Sequence, residues 1–174
     1  MPQTPKPALK LREQLHAIIR TNIMPIEFLG KAALADHAPA LALPLYTEPV
    51  SAGFPSPAQD FIERTLDLNE LCIEHPSATF FVRVEGQSMI EAGIYPRDVL
   101  VVDCSLQARS GDIVVARLFD EFTVKELELK PPPSRPRLLP RNASMQPIEV
   151  PDGTDLEIIG VVTFVLHNTR RQFQ

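Results

Sequence analysis

The chain has 174 residues, a formal net charge of −5 and 44% hydrophobic content. That length supports one domain with room for a modest extra element, and no apolar run approaches the roughly 18 residues a membrane span needs. The acidic excess speaks against sequence-independent DNA binding, because phosphate contacts require clustered Lys and Arg.

Proline is abundant and unevenly placed. There are 18 prolines against 7 glycines. Nine prolines lie in residues 1–57 and seven in 131–151, with only Pro76 and Pro96 between. The pattern predicts an extended N-terminal arm, a compact middle and a proline-rich loop late in the chain. Charge divides along the same line: residues 1–52 carry five basic and four acidic groups, and residues 53–174 carry twelve basic and eighteen acidic.

Residues 8–24 read as a short amphipathic helix, with Leu11, Leu15, Ile18 and Ile19 at helical spacing and Pro25 as its stop. The prolines from Pro39 to Pro57 fix φ and disfavour helix before them, so this stretch is read as an extended linker. Residues 58–73 look helical, at least in part, with Phe61, Ile62, Leu66 and Leu71 on a broad face. Strands follow at 78–84 and 99–102, then at 112–118 and 122–129, joined as a hairpin through Phe119-Asp120-Glu121. Leu138-Leu139 adds a short strand, and 156–166 reads as a last long one bent at Gly160. The fold class is therefore mostly β: a small domain of antiparallel strands, residues 53–174, preceded by an extended, partly helical arm, residues 1–52.

Cys72 and Cys104 lack a CxxC spacing, and no apolar stretch follows the N-terminal prolines as a secretory signal would. These features predict reduced, partly buried cysteines and a cytoplasmic location. The four histidines show no metal-ligand spacing, so no metal and no cofactor are expected.

Three segments carry possible chemistry. Ser88, in Gly86-Gln87-Ser88-Met89, follows a strand directly. It is either an ordinary turn serine or a nucleophile with free backbone N–H groups beside it. Lys125, one of only two lysines in residues 53–174, shares a period-2 face with Leu127 and Leu129, while Glu126 and Glu128 point away. It is either a snorkelling edge-strand lysine or a buried amine of lowered pKa that can serve as a general base. Ala52-Gly53, small residues in a proline-flanked stretch, has the extended form in which proteases bind substrate.

These segments, with AGFPSPAQDFIE, DLNELCIEHPSATFFVRVEGQSMIEAGI, DVLVVD, GDIVVA and EFTVKEL, closely resemble the UmuD/LexA family of self-cleaving SOS-response proteins over residues 52–165. GFPSPA beside the cut resembles the mutagenesis branch more than the repressors. The resemblance implies a LexA/UmuD-type β domain with Ser88 as nucleophile, Lys125 as general base and Ala52-Gly53 as the bond cut. A backbone N–H at Ser88 or Met89 would hold the oxyanion. The resemblance further implies a homodimer, a RecA filament on single-stranded DNA as co-protease, and an error-prone, UmuC-like Y-family DNA polymerase as partner. Neither membrane association nor direct sequence-specific DNA binding is expected. Asp98, Asp103 and Asp112 are read as turn and strand-end residues, and Gln87 as a turn residue.

The alternative is the protease domain of a LexA-like or phage repressor, with the arm serving regulation. It is disfavoured because residues 1–45 offer one clear helix rather than a basic helix-turn-helix surface. Residues 1–24 have no counterpart in the resemblance, and the 29 residues from Met24 to Ala52 are close to the family's arm length, so Met24 is an alternative start.

Overall fold

The computed structural model describes residues 24–31, 43–46, 62–130, 135–151 and 153–170. The expected helix at 8–24 falls outside them except for Met24, and so do Ala52-Gly53 and residues 131–134 of the proline-rich loop. The described chain is mostly β. In order it runs β1 (Ile26–Lys31), β2 (Leu43–Tyr46), β3 (Ile62–Leu66), helix α1 (Leu68–Cys72), β4 (Thr79–Val84) and β5 (Val99–Asp103). It continues with β6 (Ile113–Leu118), β7 (Glu121–Glu128), β8 (Arg137–Leu139), β9 (Ile148–Glu149) and β10 (Leu156–Leu166).

Eight strands form one sheet in the order β1-β4-β5-β10-β6-β7-β8-β9, and β2 with β3 forms a separate two-stranded ladder. Every pairing is antiparallel. Phe28 on the edge strand β1 lies edge-on to Phe122 on β7, with ring centroids 5.3 Å apart. Strands so far apart in sheet order touch only because the sheet coils back on itself, as strongly twisted antiparallel sheets do.

Period-2 alternation sends neighbouring residues into two apolar clusters. Val82, Val84, Leu100, Val102, Val115 and Val124 enter one, with Met24, Met89 and Ile94. Val114, Ala116, Leu118, Leu127, Leu138, Ile148 and Val161 enter the other. Strands β6 and β7 therefore contribute to both.

Several expectations hold. β10 spans the predicted 156–166, and its pairing with β6 shifts register between Ile158 and Gly160. Leu138-Leu139 lies in β8. The helix expected over 58–73 is corrected: residues 62–66 are strand β3, and the helix is the single turn Leu68–Cys72, capped by the Asp67 side chain. Cross-strand pairing with β2 overrides a helical spacing too short to be decisive. The β6–β7 connection is a two-residue turn, because Glu121 already pairs with Leu118. Phe119 and Asp120 both adopt positive φ, 52° and 64°, as the mirror-image hairpin turn requires. Leu129, placed beside Lys125 by periodicity, lies just past the strand and is exposed. Both cysteines are free, but Cys104 is exposed rather than partly buried.

The buried aspartates do more than close turns. Asp98 accepts from Tyr95 N–H and lies 2.6 Å from His167 Nδ1. Asp103 accepts from Ser105 N–H and Oγ–H and lies 2.6 Å from His75 Nδ1. Burial pushes the Asp103 carboxyl up, but the Ser105 and His75 hydrogen bonds outweigh it and hold it below the usual range.

Gly160 sits where β10 crosses β5. A Cβ there would meet Val102 Cγ1 at 2.8 Å and Asp103 O at 2.9 Å. Gly160→Val should therefore lower folding stability by about 1–3 kcal/mol through overpacking, measured as a fall in the urea midpoint at unchanged slope.

Candidate active site

The site forms where the turn after β4 meets the middle of β7. Gly86 carries φ of 108°, a conformation open to glycine, and reverses the chain as soon as β4 ends. Ser88 and Met89 follow, and the next residues, Ile90–Ala92, form a short 3-10 turn. Met89 is fully buried in the apolar cluster, which pins the turn to the body. Ser88 is 1% exposed.

Lys125 lies at the centre of β7, opposite Val114 of β6, and is fully buried. Its Nζ is 2.7 Å from Ser88 Oγ, 2.9 Å from Thr123 Oγ1 and 2.9 Å from Val124 O. A neutral amine has two N–H groups and one lone pair. Donating to Thr123 Oγ1 and Val124 O leaves the lone pair to accept the Ser88 hydroxyl proton. Burial lowers the Lys125 pKa from 10.5 to about 7, because the ammonium loses its hydration there.

Among the described residues, no backbone or side-chain acceptor takes the N–H of Ser88 or Met89. Both are turn residues beside the hydroxyl, the arrangement expected of donors held for an anion. The Ser88 carbonyl is occupied, accepting from Arg141 N–H at 2.8 Å. The Arg141 carbonyl in turn accepts from Glu91 N–H. The Arg141 guanidinium pairs with Glu126, the residue after Lys125. Asn142 Nδ2 donates to Gln87 O, and Ala143 N–H donates to Glu91 Oε1. The segment after β8 thus ties the Ser88 turn to the Lys125 strand.

Ser88 and Lys125, 37 residues apart in the chain, are brought together, and Met89 flanks them. The bond Ala52-Gly53 is not described, but the strands on either side of it are. Tyr46 of β2 pairs with Ile62 of β3, so residues 47–61 leave and re-enter one antiparallel ladder. The sequence reading missed Thr123 and Arg141. Thr123 was findable, since period 2 puts it on the face of Lys125. Arg141 carried no local signal, because its partners Ser88, Glu91 and Glu126 lie far from it in the chain. Among the described residues no set of three His, Cys, Asp or Glu side chains could hold a metal ion, and no helix is long and apolar enough to cross a membrane.

The model of the Peptidase S24-like family matches residues 44–163, which include Ser88 and Lys125. The chain belongs to that family. It is 50% identical to Protein MucA of Salmonella typhimurium over 126 residues, covering 72% of this chain and 84% of the relative. It is 51% identical to Protein SamA of Salmonella typhimurium over 127 residues, covering 73% and 86%. The LexA repressor of Stenotrophomonas maltophilia is more distant, 37% identical over 157 residues, covering 90% of this chain and 72% of the repressor.

The lowered Lys125 pKa makes stability depend on pH. Between about 7 and 10.5 the unfolded chain carries a proton on this amine that the folded chain does not, so folded stability rises with pH across that window. Lys125→Met abolishes the dependence. In a Ser88→Ala background, urea unfolding should show the Lys form gaining on the Met form by on the order of 1.4 kcal/mol per pH unit from pH 7 to 10. A difference constant in pH would contradict a buried neutral amine.

Proposed function

We propose that this protein is a self-cleaving serine endopeptidase that cuts its own chain between Ala52 and Gly53, using Ser88 as nucleophile and Lys125 as general base. The observation that carries the reading is the 2.7 Å contact between a buried hydroxyl and a buried amine whose pKa is lowered to about 7. A base poised near the working pH combines a large unprotonated fraction with adequate proton affinity.

In the proposed reaction, neutral Lys125 accepts the Ser88 Oγ proton as Oγ attacks the Ala52 carbonyl carbon. The oxyanion is held by the N–H groups of Ser88 and Met89. As the tetrahedral intermediate collapses, the C–N bond breaks and the Lys125 ammonium gives its proton to the departing Gly53 amine. Lys125 then takes a proton from water, which hydrolyses the Ser88 ester and restores the hydroxyl. A lysine base has no ring tautomer to set, so the mechanism needs no third carboxylate of the kind histidine requires.

The ladder between β2 and β3 supports the choice of bond, since it holds both ends of the segment that contains Ala52-Gly53. The resemblance to self-cleaving SOS proteins supports the biological setting. A RecA filament on single-stranded DNA would favour the conformer in which the bond is docked, which is a population shift requiring differential binding to the two states. The remainder, residues 53–174, would act in the cytoplasm as a homodimer that assists an error-prone Y-family polymerase. The LexA match covers more of the chain at lower identity, which keeps a repressor reading in view. Operator binding in a mobility-shift assay would favour it over polymerase assistance.

Incubation of the pure protein at alkaline pH should yield a fragment beginning Gly53-Phe54, identified by mass spectrometry. Its rate should rise about tenfold per pH unit below the folded pKa of Lys125 and level off above about 7. Ser88→Ala and Lys125→Ala should each reduce cutting by at least about a thousandfold while the body stays folded. Cutting at the normal rate in either variant would overturn the assignment.

A further inference from the structure

The described residues ahead of the proposed cut, 24–31 and 43–46, are paired with strands that follow it. Met24 is fully buried in the same apolar cluster as Met89, Val82 and Val84. The Pro25 carbonyl accepts from Glu85 N–H at 2.8 Å. β1 then runs along the outer edge of β4 with five cross-strand pairs, from Ile26 opposite Val84 to Lys31 opposite Phe80, through a bulge at Leu29. Glu27 accepts from Arg83 Nη1 at 2.7 Å, and the Phe28 ring contacts those of Phe80 and Phe122. Further on, β2 makes four pairs with β3. Breaking the bond at 52–53 removes none of these contacts. Both ladders join a segment on one side of that bond to a strand on the other.

We propose that cutting after Ala52 does not by itself free the arm. β1 and β2 stay on their partner strands as non-covalent strand ligands, anchored by Met24 in its socket beside Met89 and by the β1–β4 ladder. Departure of the arm is a second step, and it uncovers the outer edge of β4. An exposed edge strand beside an apolar socket is a surface that accepts an extended peptide by strand addition. Its resident occupant is the chain's own arm, so any partner that uses this edge must compete with the arm. The inference rests on Ala52-Gly53 being the bond cut, but its test does not require self-cleavage.

In a full-length Ser88→Ala chain, residues 50–55 are replaced by the recognition sequence of an unrelated site-specific protease, and the chain is cut there to completion. Denaturing electrophoresis reports the cut, and size-exclusion chromatography with native mass spectrometry reports whether the fragments part. The N-terminal fragment should co-elute with the body, and an excess of synthetic peptide 24–46 should displace it. Met24→Asp should raise the fragment's dissociation constant by at least about tenfold. Glu27→Arg, which faces Arg83 with a like charge on the surface, tests the same strand should Met24→Asp not fold. Separation of the parent fragments on the native column would overturn the proposal, as would retention unchanged by both substitutions. Absence of self-cleavage in the unmodified chain would bear on the choice of bond and leave this outcome readable.

Discussion

Burial of the Lys125 amine is the constraint on which the rest of the site depends. An ammonium at that position would lose its hydration, so burial brings the Lys125 pKa down from 10.5 to about 7. The remaining architecture keeps the position dry. β7 is flanked by β6 and β8, and its side chains enter two apolar clusters at once. The energetic penalty of a buried lysine is borne by the folded state, as is usual where a side chain is tuned for chemistry rather than for stability.

A tuned amine is useful only if a hydroxyl is held against it. The structure secures Ser88 from several directions: Gly86 reverses the chain, Met89 fills the core, and Arg141 accepts and donates backbone hydrogen bonds beside it. Arg141 also pairs with Glu126, so one residue fixes the spacing between the proposed nucleophile and the proposed base. Such positioning converts two weak side chains into a reactive pair, because the entropy of bringing them together is already spent in folding.

The same economy applies to a substrate carried on the enzyme's own chain. β2 and β3 tether the two ends of residues 47–61, and β1 is a strand of the main sheet. On the proposed function, a tethered substrate would have a high effective concentration, so regulation would act on docking geometry and on what remains bound, rather than on encounter. The N-terminal segment is in this view both substrate and cover.

Much of this was legible in the sequence because it depends on short-range pattern. Alternation in 122–129 put Lys125 on a buried face, a glycine turn after an apolar strand marked Ser88, and low proline density marked the strands whose ladders must be unbroken. What failed did so where a distant partner decides the outcome. Residues 62–66 have a spacing that suits a helix, yet β2, at 43–46, recruits them as a strand. Ile26–Lys31, which holds Glu27, Gly30 and Lys31, carries little strand signal of its own and becomes one by pairing with β4, far along the chain. The roles of Arg141, His75 and His167 likewise arise from contacts with residues distant in the chain. The sequence by itself determined the chemistry available and the faces on which it would sit, because side-chain period and backbone propensity are local. Only the tertiary structure decided that the amine is dry, that Ser88 lies 2.7 Å from it, and that the arm is a strand of the body, because desolvation and pairing belong to neighbours that the chain brings from far away.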